Sequence, residues 1–158
     1  TPTATSWWRH WTRVGGRVCR RLVHHDGHDG SEHVPEAVNQ IGRSVMDAAF
    51  TVHRALGPGL LESVYEACMA EELRRAGLTV ERQAGVPLAY GDVRMDVGYR
   101  LDLLVERSVV VEIKSIDALA SIHTAQLLTY LRFSCVRLGY LINFNTVRLK
   151  DGFRRLVL

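Results

Sequence analysis

The sequence predicts an α/β fold, and three observations carry that expectation. Apolar residues recur at three- and four-residue steps from Val38 to Leu56 and again over about 60–76, the period of helices with one buried face. From Thr79 the period changes, and β-branched runs such as Ser108 to Lys114 (SVVVEIK) take over. A further helical stretch, Asp117 to Phe133, then separates these runs from two last strands, giving the order ααβββ(β)αββ.

Each element follows from local chemistry. Pro35 suits the first turn of a helix, and Val38, Ile41, Val45, Ala48, Ala49, Val52 and Leu56 form its stripe. Gly57-Pro58-Gly59 ends it, glycine as a C-terminal cap and proline as a block. The second helix shows Leu61, Val64, Tyr65, Cys68 and Leu73 on one side and stops at Gly77. Thr79 to Tyr90 reads as an irregular, peripheral strand because of Gly85 and Pro87. After the turn signal Gly91-Asp92, Val93 to Gly98 reads as a short return strand. Arg100 to Glu106 and Ser108 to Lys114 read as a hairpin. The later helix is expected to be capped by Asp117, with Ile122, Ala125, Leu128 and Leu131 in the core. Arg137 to Phe144 and Phe153 to Leu158 complete the set.

Bulk properties narrow the function classes. The chain has 158 residues, 47% of them hydrophobic, which suits one globular domain and an appendage. No apolar run approaches the roughly 20 residues of a membrane span, and no secretory pattern stands at the N-terminus, so no membrane partner is expected. A net charge of +3 and a pI near 9.0 are mildly basic and compatible with a nucleic-acid partner. Cys19, Cys68 and Cys135 are scattered and odd in number, with no CxxC pair. That argues against disulfides, zinc and iron–sulfur clusters and for a reducing, cytoplasmic compartment.

Residues 1–33 read as a basic Trp/Arg/His-rich extension, loosely held, with a linker after Val23 and room for a short helix at 6–23. The domain proper spans 34–158. Trp7, Trp8 and Trp11 among arginines could stack bases and grip phosphates, and the run from His24 to Gly30 could take a metal. Without flanking structure to fix its geometry, the plainer reading is preferred.

Three charges interrupt the two most hydrophobic strands: Asp102 in the first, Glu112 and Lys114 in the second. Burying an unpaired carboxylate is expensive, so each needs a partner or an edge. Glu112 and Lys114, two apart, share a face. Glu112 and Asp102 could ligate a hard cation, magnesium or manganese rather than zinc. Lys114 could orient or deprotonate a water, or hold transition-state charge. A structural salt-bridge cluster is the alternative. Pleat parity constrains the scheme. A two-residue turn at Arg107-Ser108 would set Asp102 opposite Ile113, on the wrong face. A three-residue tip centred on Arg107 sets it opposite Glu112, so an odd-length tip or a bulge is expected. Glu62 follows the glycine corner, and His123, Gln126 and Tyr130 share one stripe of the later helix.

The run Gly59-Leu60-Leu61-Glu62-Ser63-Val64-Tyr65 resembles the signature of the GxxExxY proteins, a group within the PD-(D/E)XK nuclease superfamily. Neighbouring text resembles that group too: Val52 to Leu56, Tyr99 to Val105, Glu112-Ile113-Lys114, Ile122 to Leu131, and Leu141 to Asn145. The resemblance covers roughly 36–158. It implies an α+β mixed sheet with a restriction-endonuclease-like αβββαβ core, here with an extra N-terminal helix. It implies a metal-dependent nuclease acting on nucleic acid, DNA by analogy. Glu62 looks like the helical acidic residue, Asp102 like the first strand carboxylate, and Glu112 and Lys114 like the (D/E)XK pair. These carboxylates and the Ile113 carbonyl would hold one or two Mg2+ or Mn2+ ions. Gln126 and Tyr130 look like the QxxxY element that faces the DNA backbone in recombination-type exonucleases. His123 and Arg100 are candidate phosphate contacts, with a satisfied half-buried histidine and a strand end as their structural alternatives. His53 and Tyr65 read as packing residues, Glu66 and Glu71-Glu72 as a solvated face, and Asn143 and Asn145 as turn formers. Two non-enzymatic alternatives stand beside this: a binding module that kept the fold without turnover, and a partner-dependent subunit tethered by the Trp/Arg extension.

Overall fold

The computed structural model of the chain describes residues 34–90 and 92–158. The extension expected at 1–33, with its helix and His/Asp run, lies outside the described residues. Helix α1 (Glu36–Leu56) starts directly after Pro35 and buries Val45, Ala48, Ala49 and Val52. Gly42 lies where this helix crosses the sheet: a Cβ there would stand 2.3 Å from the Tyr140 hydroxyl oxygen, so a side chain has no room. Leu56, expected to continue the stripe, is 39% exposed. It occupies the last turn, and Gly57 at φ 69° swings the chain out of the helix.

Helix α2 (Glu62–Arg75) buries Tyr65, Glu66, Met69, Ala70 and Leu73. Its buried face is therefore rotated from the expected one: Leu61 is 73% exposed and Val64 is also exposed. Two side chains set that rotation. Tyr65 is fully buried and stacks on Phe144 with ring centroids 4.4 Å apart. Its hydroxyl donates to the Gly57 carbonyl at 2.7 Å and accepts the Leu60 N–H at 3.1 Å, tying the glycine corner to the helix that follows. Glu66, expected in solvent, is buried and accepts from Arg82 Nε at 2.8 Å and from Gln83 Nε2 at 2.7 Å. A buried carboxylate is tolerated when its lone pairs are filled in this way.

Among the described residues, five strands form one sheet in the order β1-β2-β3-β4-β5. They are β1 (Val80–Tyr90), β2 (Val93–Val105), β3 (Val109–Lys114), β4 (Leu138–Asn143) and β5 (Phe153–Val157). Only β3 and β4 run parallel. Their crossover carries helix α3 (Ser121–Ser134), so α2 to β4 follow the αβββαβ order. The two strands expected between Val93 and Glu106 are one continuous 13-residue strand. Strand β1 lies at an edge, and its register shifts between Val86 and Leu88, around Pro87, where a missing N–H is tolerated.

Both sheet faces are covered. Val109, Val111 and Ile113 face α1 and α2 with Leu138, Tyr140 and Ile142. Val110 and Leu141 pack with Leu127 and Leu131 of α3. Helix α3 begins at Ser121 rather than at an Asp117 cap, and Ile122 is 66% exposed while Leu127 takes the core position. Its N-terminus is closed instead by His123, whose Nδ1 accepts the Ala120 N–H at 3.0 Å.

Tyr65→Phe keeps the ring and deletes both corner bonds. Urea titration is expected to show a loss of about 1–2 kcal/mol in unfolding free energy with the fold retained. An unchanged midpoint would remove the hydroxyl as the clamp.

Candidate active site

The β2–β3 hairpin pairs Val105 with Val109, Leu104 with Val110 and Leu103 with Val111, leaving a three-residue tip at Glu106-Arg107-Ser108. Glu106 and Arg107 take φ of 48° and 51° to close it. This odd-length tip sets Asp102 opposite Glu112 when the register is extended. The ladder itself stops at Leu103 and Val111. The Ile113 N–H, which a continued ladder would give to Leu101, is accepted instead by Asp102 Oδ2 at 2.8 Å. The Ile113 carbonyl, on the same side of its strand as that N–H, also points toward β2.

The ladder stops where β1 and β2 change face. Leu103 and Val105 pack beside α1 and α2, yet Leu101 joins Leu104 on the α3 side. Strand β1 does the same: Val80 lies in the first core, Ala84 and Val86 in the second. A regular strand keeps residues two apart on one face. The switch falls at Asp102 in β2 and at Gln83 in β1, where Gln83 adopts φ 49°. Asp102 is held from both sides, by Ile113 and by Gln83 Nε2, which lies 3.2 Å from Oδ1.

Glu112 shares the Val110 face, beneath α3. It is 4% exposed, and its Oε1 accepts from Lys114 Nζ at 2.7 Å. Burial, then the Asp102 charge, pushes its carboxyl up to about 7 against the pull of Lys114. Burial also pushes Asp102 up, despite the bonds from Ile113 and Gln83. Burial draws Lys114 down, but its bond to Glu112 and the charges of Glu112, Glu62 and Asp102 outweigh that and leave it raised. Lys114 is therefore an ammonium at neutral pH.

Glu62 reaches the same region from α2: its Oε1 accepts the Ser115 N–H at 3.0 Å, while Ser115 Oγ donates to the Leu60 carbonyl at 2.6 Å. From α3, Gln126 Nε2 donates to the Tyr130 hydroxyl at 2.5 Å. Burial raises the Tyr130 phenol against the pull of its bond from Gln126, and the charges of Glu112, Lys114 and Asp102 act on it as well. The Tyr130 ring stacks on Tyr99 at 4.5 Å, and Tyr99 donates to the Tyr130 carbonyl. His123 uses Nδ1 in its cap, which leaves the proton on Nε2. Arg100 Nη1 is bonded to the Gln83 carbonyl at 3.1 Å, at the exposed margin. His53 Nε2 bonds the Thr146 carbonyl, and Asn143 ties down the loop after β3 through both Ile116 backbone groups. Two polar neighbours were not expected here, Glu66 and Gln83. Glu66 stands four residues after Glu62 on α2, and that spacing was the available signal.

Among the described residues no three His, Cys, Asp or Glu side chains form a ready-made metal-binding group. The carboxylates are engaged by Lys114, Ile113, Gln83 and Ser115. Among the described residues one buried side-chain polar atom has no hydrogen-bond partner, Glu112 Oε2. An orphaned oxygen on a carboxylate, beside a second carboxylate and a backbone carbonyl, is an all-oxygen donor set that suits a hard divalent cation.

No curated protein and no solved structure matches the chain significantly. The family model described as the PD-(D/E)XK nuclease superfamily matches residues 39–156, a span that takes in both strand carboxylates, the lysine beside them and the helices that flank them. The chain belongs to the PD-(D/E)XK nuclease superfamily.

Proposed function

We propose that this chain is a metal-dependent nuclease of the GxxExxY group that hydrolyses phosphodiester bonds in DNA. The observation that carries the reading is the partnerless Oε2 of Glu112, buried beside Asp102 and Lys114. Asp102, Glu112 and Glu62, with the Ile113 carbonyl, would hold Mg2+ or Mn2+. Such a cation, when bound, compensates the carboxylates and polarises a phosphate oxygen and a water.

The chain's own groups divide the remaining work. Lys114, kept protonated by its carboxylate neighbours, stabilises charge that develops on the phosphate rather than taking a proton. The Tyr130 hydroxyl accepts from Gln126 and so has its own proton to give to a phosphate oxygen. His123, through Nε2–H, and Arg100 extend the contacts along the backbone of the substrate. A second reading, a binding module without turnover, draws on one feature: Lys114 and Gln83 already occupy carboxylate oxygens of the site.

Asp102→Ala and Lys114→Ala should each lower cleavage of linear DNA in Mg2+ by about 100-fold or more, while circular dichroism shows an intact fold. Undiminished magnesium-dependent cleavage by either variant removes the mechanism. DNA binding by the wild type, with no cleavage in any divalent cation, selects the second reading.

Glu112 also predicts a pH dependence. Its carboxyl holds a proton up to about 7 in the fold, against an ordinary value of 4.5. Between those values the native chain binds more protons than the unfolded one, so this residue's contribution to stability falls as pH rises through the window. In EDTA, the melting temperature of Glu112→Gln relative to wild type should climb by several degrees between about pH 5 and pH 8. A difference that stays flat across that range contradicts the buried-carboxylate account.

A further inference from the structure

We infer that Gln83 is a positioning residue for the candidate active site: its side-chain amide, oriented by Glu66, holds Asp102 in the place from which it serves the cation. The inference rests on the metal-site reading above and adds a residue that lies outside the strand and helix carboxylates.

Three observations support it. The first is backbone conformation. Gln83 is a non-glycine residue at φ 49° in mid-strand, and the strand changes face there. Glutamine gains nothing from the left-handed region, which favours glycine, asparagine or aspartate. Its side chain must therefore offset the local cost.

The second is bonding. Gln83 Nε2 lies 2.7 Å from Glu66 Oε2 and 3.2 Å from Asp102 Oδ1. Both partners are carboxylate oxygens, which only accept, so the NH2 end of the amide must lie between them. The amide has two N–H groups, one for each carboxylate. Glu66 is buried and also held by Arg82, so it is the fixed end of the bridge. Asp102 is the end that the bridge restrains.

The third is register. Arg82 pairs with Leu103 and Ala84 with Leu101, so Gln83 stands across from Asp102 on the neighbouring strand. On the other side Asp102 is held by the Ile113 N–H. The carboxylate is thus fixed between β1 and β3. Outer-shell partners of this kind set ligand orientation and typically account for about 10- to 100-fold in cation affinity.

Two substitutions separate the amide from the backbone. Gln83→Gly accepts the positive φ without strain and removes the amide. Gln83→Met keeps the length and the backbone demand but has no donor. Both should weaken Mn2+ binding, measured by calorimetry on the full chain, by about tenfold or more. Both should also speed hydrogen exchange at the Ile113 amide in the cation-free protein by about tenfold, because Asp102 is no longer steadied as its acceptor. Wild-type affinity and Ile113 protection in both variants would overturn the inference. So would a defect confined to Gln83→Met, which would assign the effect to the backbone. If the wild type itself binds no Mn2+, the metal-site reading fails and the role of Gln83 toward a cation fails with it. A loss seen only in the variants bears on Gln83 alone.

Discussion

A carboxylate in the middle of a sheet whose two faces are covered is the constraint on which the site depends. Strand β3 is buried along nearly its whole length, with helices packed on either side, and Glu112 sits in that strand. Desolvation and the nearby Asp102 both oppose its ionisation, and the one adjacent ammonium, Lys114, satisfies one of its two oxygens. A buried, unsatisfied oxygen costs about 1–3 kcal/mol. Nothing in the packing of β3 requires that cost, since a valine would continue the run of Val109, Val110 and Val111. Its persistence points to chemistry rather than to folding.

The sheet is irregular where that chemistry needs room. A regular three-strand ladder would have paired Asp102 and Gln83 backbones in sequence and left the Ile113 N–H to Leu101. Instead β1 and β2 change face together, and side chains take over bonds that backbones would have made. The helical side of the site is braced by the same means. Tyr65 fixes the corner at Gly57 and Leu60, Ser115 holds Leu60 from the strand side, and Glu62 is thereby brought onto the end of β3. Glu62 and Glu66, one turn apart on α2, thus reach opposite ends of the cluster.

Most of the architecture was legible in the sequence because periodicity and punctuation report directly on burial. The glycine corner and the succession of helices and strands along the chain follow from local pattern, and the odd-length hairpin tip follows from parity once Asp102 and Glu112 are taken to share a site. What was illegible depended on tertiary partners. Glu66 looks like a surface residue until Arg82 and Gln83, sixteen and seventeen positions on, fold over it. Its burial rotates α2 and leaves Leu61 exposed. Ile122 is exposed and Leu127 buried, and α3 starts three residues later than an Asp117 cap would place it, because a histidine cap has no strong sequence signature. The strand carboxylates stood out as charges in apolar runs. Gln83, a polar residue in an already irregular strand, did not.

Charge balance ties these parts together. Four carboxylates, Glu62, Glu66, Asp102 and Glu112, meet two cationic partners, the exposed Arg82 and the half-buried Lys114. Fully ionised, the cluster would be two charges short of neutral, and around the buried Glu66 and Glu112 water compensates little. The protein answers by holding a proton on Glu112 to near neutral pH and by pushing Asp102 upward as well. Protons are a poor substitute for a dication here, because a protonated Glu112 still leaves Oε2 without a partner. On the proposed reading, exchanging that proton for a divalent ion removes both the charge deficit and the orphaned oxygen at once. The Lys114 ammonium, no longer needed to offset the carboxylates alone, is then free to act on the negative charge of a phosphate.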